Sequence, residues 1–77
     1  MNQEVMKMLA VGLSVGLGML GPGLALGLIG YSALQGISRN PEASGPILTN
    51  MILIGALAEA VAIYVLIIGI ILAIVVK

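Results

Sequence analysis

Residues 47–76 read ILTNMILIGALAEAVAIYVLIIGIILAIVV, thirty positions that hold one charge, Glu59, and two other polar exceptions, Thr49 and Asn50. About 20 apolar residues cross a bilayer core at a rise of roughly 1.5 Å each, so this run spans a membrane with length to spare. Upstream, residues 8–34 read MLAVGLSVGLGMLGPGLALGLIGYSAL, 27 positions without a charge, interrupted by Ser14 and Ser32. A second span follows by the same count. Strands of a membrane barrel would alternate in polarity over runs of about ten residues, and no such alternation occurs here.

Between the spans lie Gln35-Gly36-Ile37-Ser38-Arg39-Asn40-Pro41-Glu42-Ala43-Ser44-Gly45-Pro46, with the turn formers and charge of an aqueous loop. Asn40 precedes a proline, which biases it away from helical geometry. Pro46 suits the first residue of a helix, where its missing N–H costs nothing. The expected fold is all-α. Residues 1–77 form one transmembrane hairpin, with helix one over about 5–38, a polar loop over about 39–45 and helix two over about 46–76.

Composition agrees and excludes much else. The 77 residues are 61% hydrophobic and 8% charged, with mean hydropathy +1.27. A soluble chain this small buries only about 60% of its unfolded surface, too little to hide that much apolar area. Three positive charges cancel three negative ones, so there is no basic footprint for nucleic acid. Without Cys or His, disulfides and ordinary zinc or haem ligation are excluded, and no metal site is expected. The first apolar segment is too long for a signal-peptide core and no small-residue cleavage site follows it, so the sequence reads as mature from Met1. Lys7 and Lys77 at the ends outnumber Arg39 in the loop, a count that mildly favours cytoplasmic termini.

Glu59 is the residue with chemistry to do. It lies 12 residues beyond Ile47 and 17 before Val76, about 18 Å and 26 Å along a helix. An ionised carboxylate near the bilayer midplane costs at least about 2.5 kcal/mol, and no cation of this chain lies at that depth to offset it. The protonated form is favoured wherever the group faces lipid or protein, and ionisation needs water or a cation from another chain. A carboxyl in so switchable a setting is a proton carrier. The plainer reading, a protonated Glu that bonds two helices together, is weakened by Gly55, Ala56, Ala58, Ala60 and Ala62, which clear space for access. In a hairpin folded about the loop, Glu59 comes level with roughly residues 23–27, so Leu26 is the expected first-helix neighbour.

Gly12, Gly16, Gly18, Gly21, Gly23, Gly27 and Gly30 crowd the first helix. Two pairs have the four-residue spacing that lets backbones touch. Small residues on several faces suit contact with two neighbours at once, as in a closed ring, although the glycines alone fit a simple dimer equally well. Pro22 leaves the Gly18 carbonyl without its usual donor, and a slight kink is expected there.

Taken in order along the chain, these features resemble the F-type ATP synthase c subunit family. The stretch from Gly16 to Gly27 is similar to that family's glycine-rich first helix, with Ala25 where another glycine is common. Arg39-Asn40-Pro41-Glu42 resembles its polar loop, usually Arg-Gln-Pro. Ala58-Glu59-Ala60 resembles its ion-binding stretch, with Tyr64 five residues on. The resemblance implies a ring of identical hairpins, first helices inside, turning in lipid against an a subunit that supplies an arginine and two half-channels. It implies Glu59 as the proton-binding residue, with Tyr64, Gly23, Leu26 and Gly27 as possible support, and Gly12, Gly16, Gly18, Gly21, Gly23 and Gly27 as ring-packing positions. Arg39, Asn40 and Pro41 would meet the central stalk, its gamma and epsilon type subunits, from the cytoplasmic side. That orientation opposes the charge count, which turns on a single residue. The setting would be an energy-transducing membrane such as the bacterial plasma membrane.

Sodium-binding relatives carry a Gln on the first helix and a hydroxyl residue just after the Glu. The matching positions here are Leu26, Ala60 and Val61, which offer no side-chain oxygen. A hard cation needs several oxygens to replace its water, whereas a proton needs one. Protons are therefore expected, with no resident cofactor and no catalysis by the chain itself. Sodium transport, a small pore-forming peptide and a structural proteolipid are the alternatives. A small multidrug antiporter would have four helices and more aromatics, and a V-type proteolipid usually duplicates the hairpin.

Overall fold

A computed structural model describes residues 2–75. Helix α1 covers Gln3–Arg39, a 3-10 turn covers Pro41–Ala43, and helix α2 covers Ser44–Ile74. The two long helices lie antiparallel in a slab of 58 × 18 × 8 Å. Each is long and apolar enough to cross a membrane.

The boundaries have local causes. Asn2 accepts the Val5 N–H on its side chain at 2.8 Å, a cap that starts α1 two residues ahead of the expected Val5. The helix then runs unbroken through Pro22. It stops at Asn40 (φ −143°, ψ 79°), which the following proline keeps out of helical geometry; the Asn40 N–H still donates to the Gly36 carbonyl at 3.0 Å. The Ala43 N–H bonds the Asn40 carbonyl at 2.9 Å and closes the turn. Because that turn feeds straight into α2, the helix begins at Ser44 and Pro46 is its third residue rather than its first. The missing N–H still falls among the four amides that have no partner within a helix. The expected end at residue 76 lies outside the described residues.

Two polar side chains early in α2 are absorbed by its own backbone. Thr49 Oγ1 donates to the Gly45 carbonyl and Asn50 Nδ2 to the Pro46 carbonyl, each at 3.0 Å. Such back-bonding offsets part of the cost of a polar group in an apolar helix.

Close approach along the hairpin is set by four glycines. Val15 packs over Gly69 and Val65 over Gly18, a reciprocal pair of side chain and gap. A Cβ on Gly18 would sit 2.6 Å from Val65 Cγ1. Nearer the loop, Leu26 Cδ2 lies 3.8 Å from the point a Cβ on Gly55 would occupy, and Ile47 Cδ1 lies 3.0 Å from that of Gly36. Ala33 is the one buried hydrophobic residue among the described residues. A hairpin alone therefore leaves nearly all its apolar surface to lipid or to other protein.

Candidate functional site

The four close pairs fix an antiparallel register, which brings Glu59 level with Pro22–Ala25, overlapping the near end of the expected 23–27 window. Glu59 is also the middle residue of α2, 15 positions from either end, or about 22 Å each way. A helical side chain leans toward the N-terminus of its own helix, which for Glu59 means toward the loop and the level of Leu26 and Gly27.

Which side of the hairpin it occupies follows from the helical repeat. Val15, Gly18, Pro22, Ala33 and Gly36 mark the α1 face turned to α2, and Ile47, Val65 and Gly69 the facing stripe of α2. At about 100° per residue, Glu59 lies roughly 105° off that stripe. Leu26 against Gly55 marks the same flank, and Gly23, Gly27 and Gly30 also fall on it. A Cβ on any of these three would meet nothing within 4 Å, and Glu59 itself is exposed. Among the described residues no hydrogen bond reaches its carboxyl. Its sequence neighbours Ala58 and Ala60 are half-buried, and Val61 is exposed with no oxygen to offer.

Tyr64 is placed elsewhere. Five residues on, it lies about 140° around α2 from Glu59, on the other flank. Its ring is 66% exposed, so its hydroxyl does not serve the carboxyl of its own chain. The glycines divide as well. Gly18 is taken up inside the hairpin by Val65, whereas Gly12, Gly16, Gly21, Gly23, Gly27 and Gly30 are open. Gly21 alone of these six falls on the Tyr64 flank. Arg39, Asn40 and Pro41 cluster, exposed, at the tip of the loop.

The family profile of the ATP synthase c subunit matches residues 9–72, both spans and the loop between them. The chain belongs to the ATP synthase c subunit family. The ATP synthase c subunit of Dehalococcoides mccartyi is similar at 56% identity over 72 residues, covering 94% of this chain and 95% of the relative. That of Trichlorobacter lovleyi is 47% identical, with 94% and 79% covered, and that of Geobacter sulfurreducens 46% identical, with 87% and 74% covered. Members of this family are helical hairpins that assemble as a ring, and this hairpin is the rotor-ring component of an ATP synthase. It is a membrane protein of ion transport and ATP synthesis that works in a complex with the other synthase subunits.

The sequence puts Glu59 near the middle of the second helix, where the structure has it, but did not mark Gly36 and Gly69 as close-approach positions. The signal available for Gly69 was faint: it is the one small residue between Leu66 and Leu72.

Proposed function

We propose that this hairpin carries protons, one per chain, on Glu59, and that reversible protonation there couples ion flow to rotation of the ring. The observation that carries the reading is the poverty of oxygen around the carboxyl: Leu26, Ala58, Ala60 and Val61 offer none from their side chains. A protonated Glu59 is satisfied by donating to one main-chain carbonyl. A sodium ion in the same space would lose water that nothing replaces. Tyr64, on the opposite flank, is presented to the next copy, so any support it gives Glu59 crosses the boundary between copies.

The chain itself is non-catalytic. The cation and the water that Glu59 lacks within its own chain would come from an arginine and aqueous half-channels of a stator a subunit. Six of the seven open glycines belong to α1, the other being Gly45 in the first turn of α2, which suits α1 to the inner wall, where the circumference is smaller and helices crowd. Arg39, Asn40 and Pro41 face the gamma and epsilon type subunits of the central stalk from the cytoplasm. The Dehalococcoides, Trichlorobacter and Geobacter relatives are all bacterial, which supports the bacterial plasma membrane as the setting.

Carbodiimide attacks protonated carboxyls, so its labelling of Glu59 reads occupancy by a competing cation. At fixed pH, raising sodium from trace to high millimolar levels slows labelling no more than the same addition of potassium. A marked slowing by sodium alone would overturn the assignment to protons.

A further inference from the structure

Every side-chain hydrogen bond among the described residues is local, spanning three or four residues, and none joins α1 to α2. The small polar side chains of the two apolar runs are Ser14, Ser32, Thr49 and Asn50. Three of them bond a carbonyl of their own helix: Ser14 Oγ donates to Val11 at 3.2 Å, and Thr49 and Asn50 donate to Gly45 and Pro46. Ser32 is the exception, because its hydroxyl makes no hydrogen bond among the described residues. Asn50 is half satisfied. Its Nδ2 bond to Pro46 holds the side chain in place and leaves Oδ1 without a donor. These two groups meet in one groove. The close pairs Leu26 with Gly55 and Gly36 with Ile47 bracket the stretch and put Ser32 level with Asn50. At about 100° per residue, Ser32 stands about 70° and Asn50 about 75° off the facing stripes, both on the flank that bears Tyr64. Both line a groove of about 430 Å³ whose remaining walls, Ile29, Ala33, Ile47 and Ile54 among them, are hydrocarbon.

A donor and an acceptor left free at one level of an apolar groove cost free energy unless something takes both bonds. Water can do so, by accepting from the Ser32 O–H and donating to Asn50 Oδ1, and the groove is far larger than the roughly 30 Å³ that one molecule needs. We propose that an ordered water bridges Ser32 and Asn50 and links α1 to α2 by hydrogen bonds. The site lies within one hairpin, nine residues or about 13 Å from Glu59 toward the loop. It therefore depends neither on the ring nor on which ion Glu59 carries. Its role is to hold the helices in register between the contacts at Leu26 and Gly36, a stretch where Ala33 is the one buried hydrophobic residue.

Water-edited solid-state NMR of the isotope-labelled full chain tests this, in phosphatidylcholine bilayers, whose lipid carries no hydroxyl to take the place of water. Thr49 is the internal control. It stands one residue nearer the loop than Asn50 but on the side of α2 turned away from α1, so depth alone would wet it more. Magnetisation from water reaches Ser32 and Asn50 several-fold faster than it reaches Thr49. Ser32→Ala slows the transfer at Asn50 to the rate seen at Thr49. Asn50→Leu gives the reciprocal reading at Ser32, so a folding defect in one variant does not decide the outcome. Rates at Ser32 and Asn50 no faster than at Thr49 would overturn the proposal, because lipid or another chain would then fill the groove. So would fast transfer at Asn50 that survives Ser32→Ala, because the water would then be interfacial and not held by the pair.

Discussion

Replacing Gly18 by alanine tests whether the hairpin is held by the reciprocal packing of Val65 and Val15. The new Cβ would lie 2.6 Å from Val65 Cγ1 and 3.2 Å from Cγ2. Carbon pairs rest at about 3.5–4.0 Å, so the overlap is about 1 Å at the closer atom. Val65 cannot turn aside, because a β-branched residue in a helix has essentially one χ1 rotamer. The helices must separate instead, at a cost of about 1–3 kcal/mol for overpacking. Alanine's better helix propensity returns up to about 1 kcal/mol. Gly18→Ala is therefore destabilising by up to about 2 kcal/mol, while Gly21→Ala, whose Cβ meets nothing within 4 Å, is neutral or stabilising. Adding Val65→Ala to Gly18→Ala removes both γ carbons and restores most of the loss. The assay is a detergent titration of monomeric protein, with donor and acceptor dyes on Asn2→Cys and Val75→Cys reporting separation of the helix ends. Equal midpoints for Gly18→Ala and Gly21→Ala, or no relief from Val65→Ala, would refute the packing argument.

Two further outcomes are expected. Gly23→Leu together with Gly27→Leu leaves the hairpin intact but abolishes or resizes the ring, and native mass spectrometry of detergent extracts reads this as a changed or missing ring mass. Asn2→Ala removes the cap on the Val5 N–H and costs about 1 kcal/mol at the start of α1. Faster hydrogen exchange confined to the first turn is its signature.

Much of this was legible in the sequence because a bilayer leaves few choices. Two long apolar runs around Arg39-Asn40-Pro41-Glu42, one of them holding the single charge Glu59, point to a helical hairpin, and the position of Glu59 in its run puts it near the middle of the second helix. Facing was less legible. The second span is apolar on every side, so hydropathy does not say which stripe of α2 meets α1. Glycine carries no side chain to mark a face either. Gly18 and Gly27 look alike in sequence, yet one is filled by Val65 and the other is open. Tyr64 shows the same limit: proximity along the chain suggested a partner for Glu59, and the helical repeat turns it to the opposite flank. The start of α2 at Ser44 was hidden because a 3-10 turn, which has no distinctive composition, joins the two helices almost without a gap.

In the proposed function Glu59 alone carries the ion, since Glu4 and Glu42 stand at the terminus and in the loop. Glutamine keeps the shape and hydrogen-bonding capacity of the protonated carboxyl but cannot ionise. The decisive measurement is proton-driven ATP synthesis by the whole synthase carrying Glu59→Gln, reconstituted in vesicles, with ring assembly verified by mass. An intact ring and no synthesis above the uncoupled background are expected. An intact ring that still made ATP on an imposed proton gradient would contradict that role for Glu59.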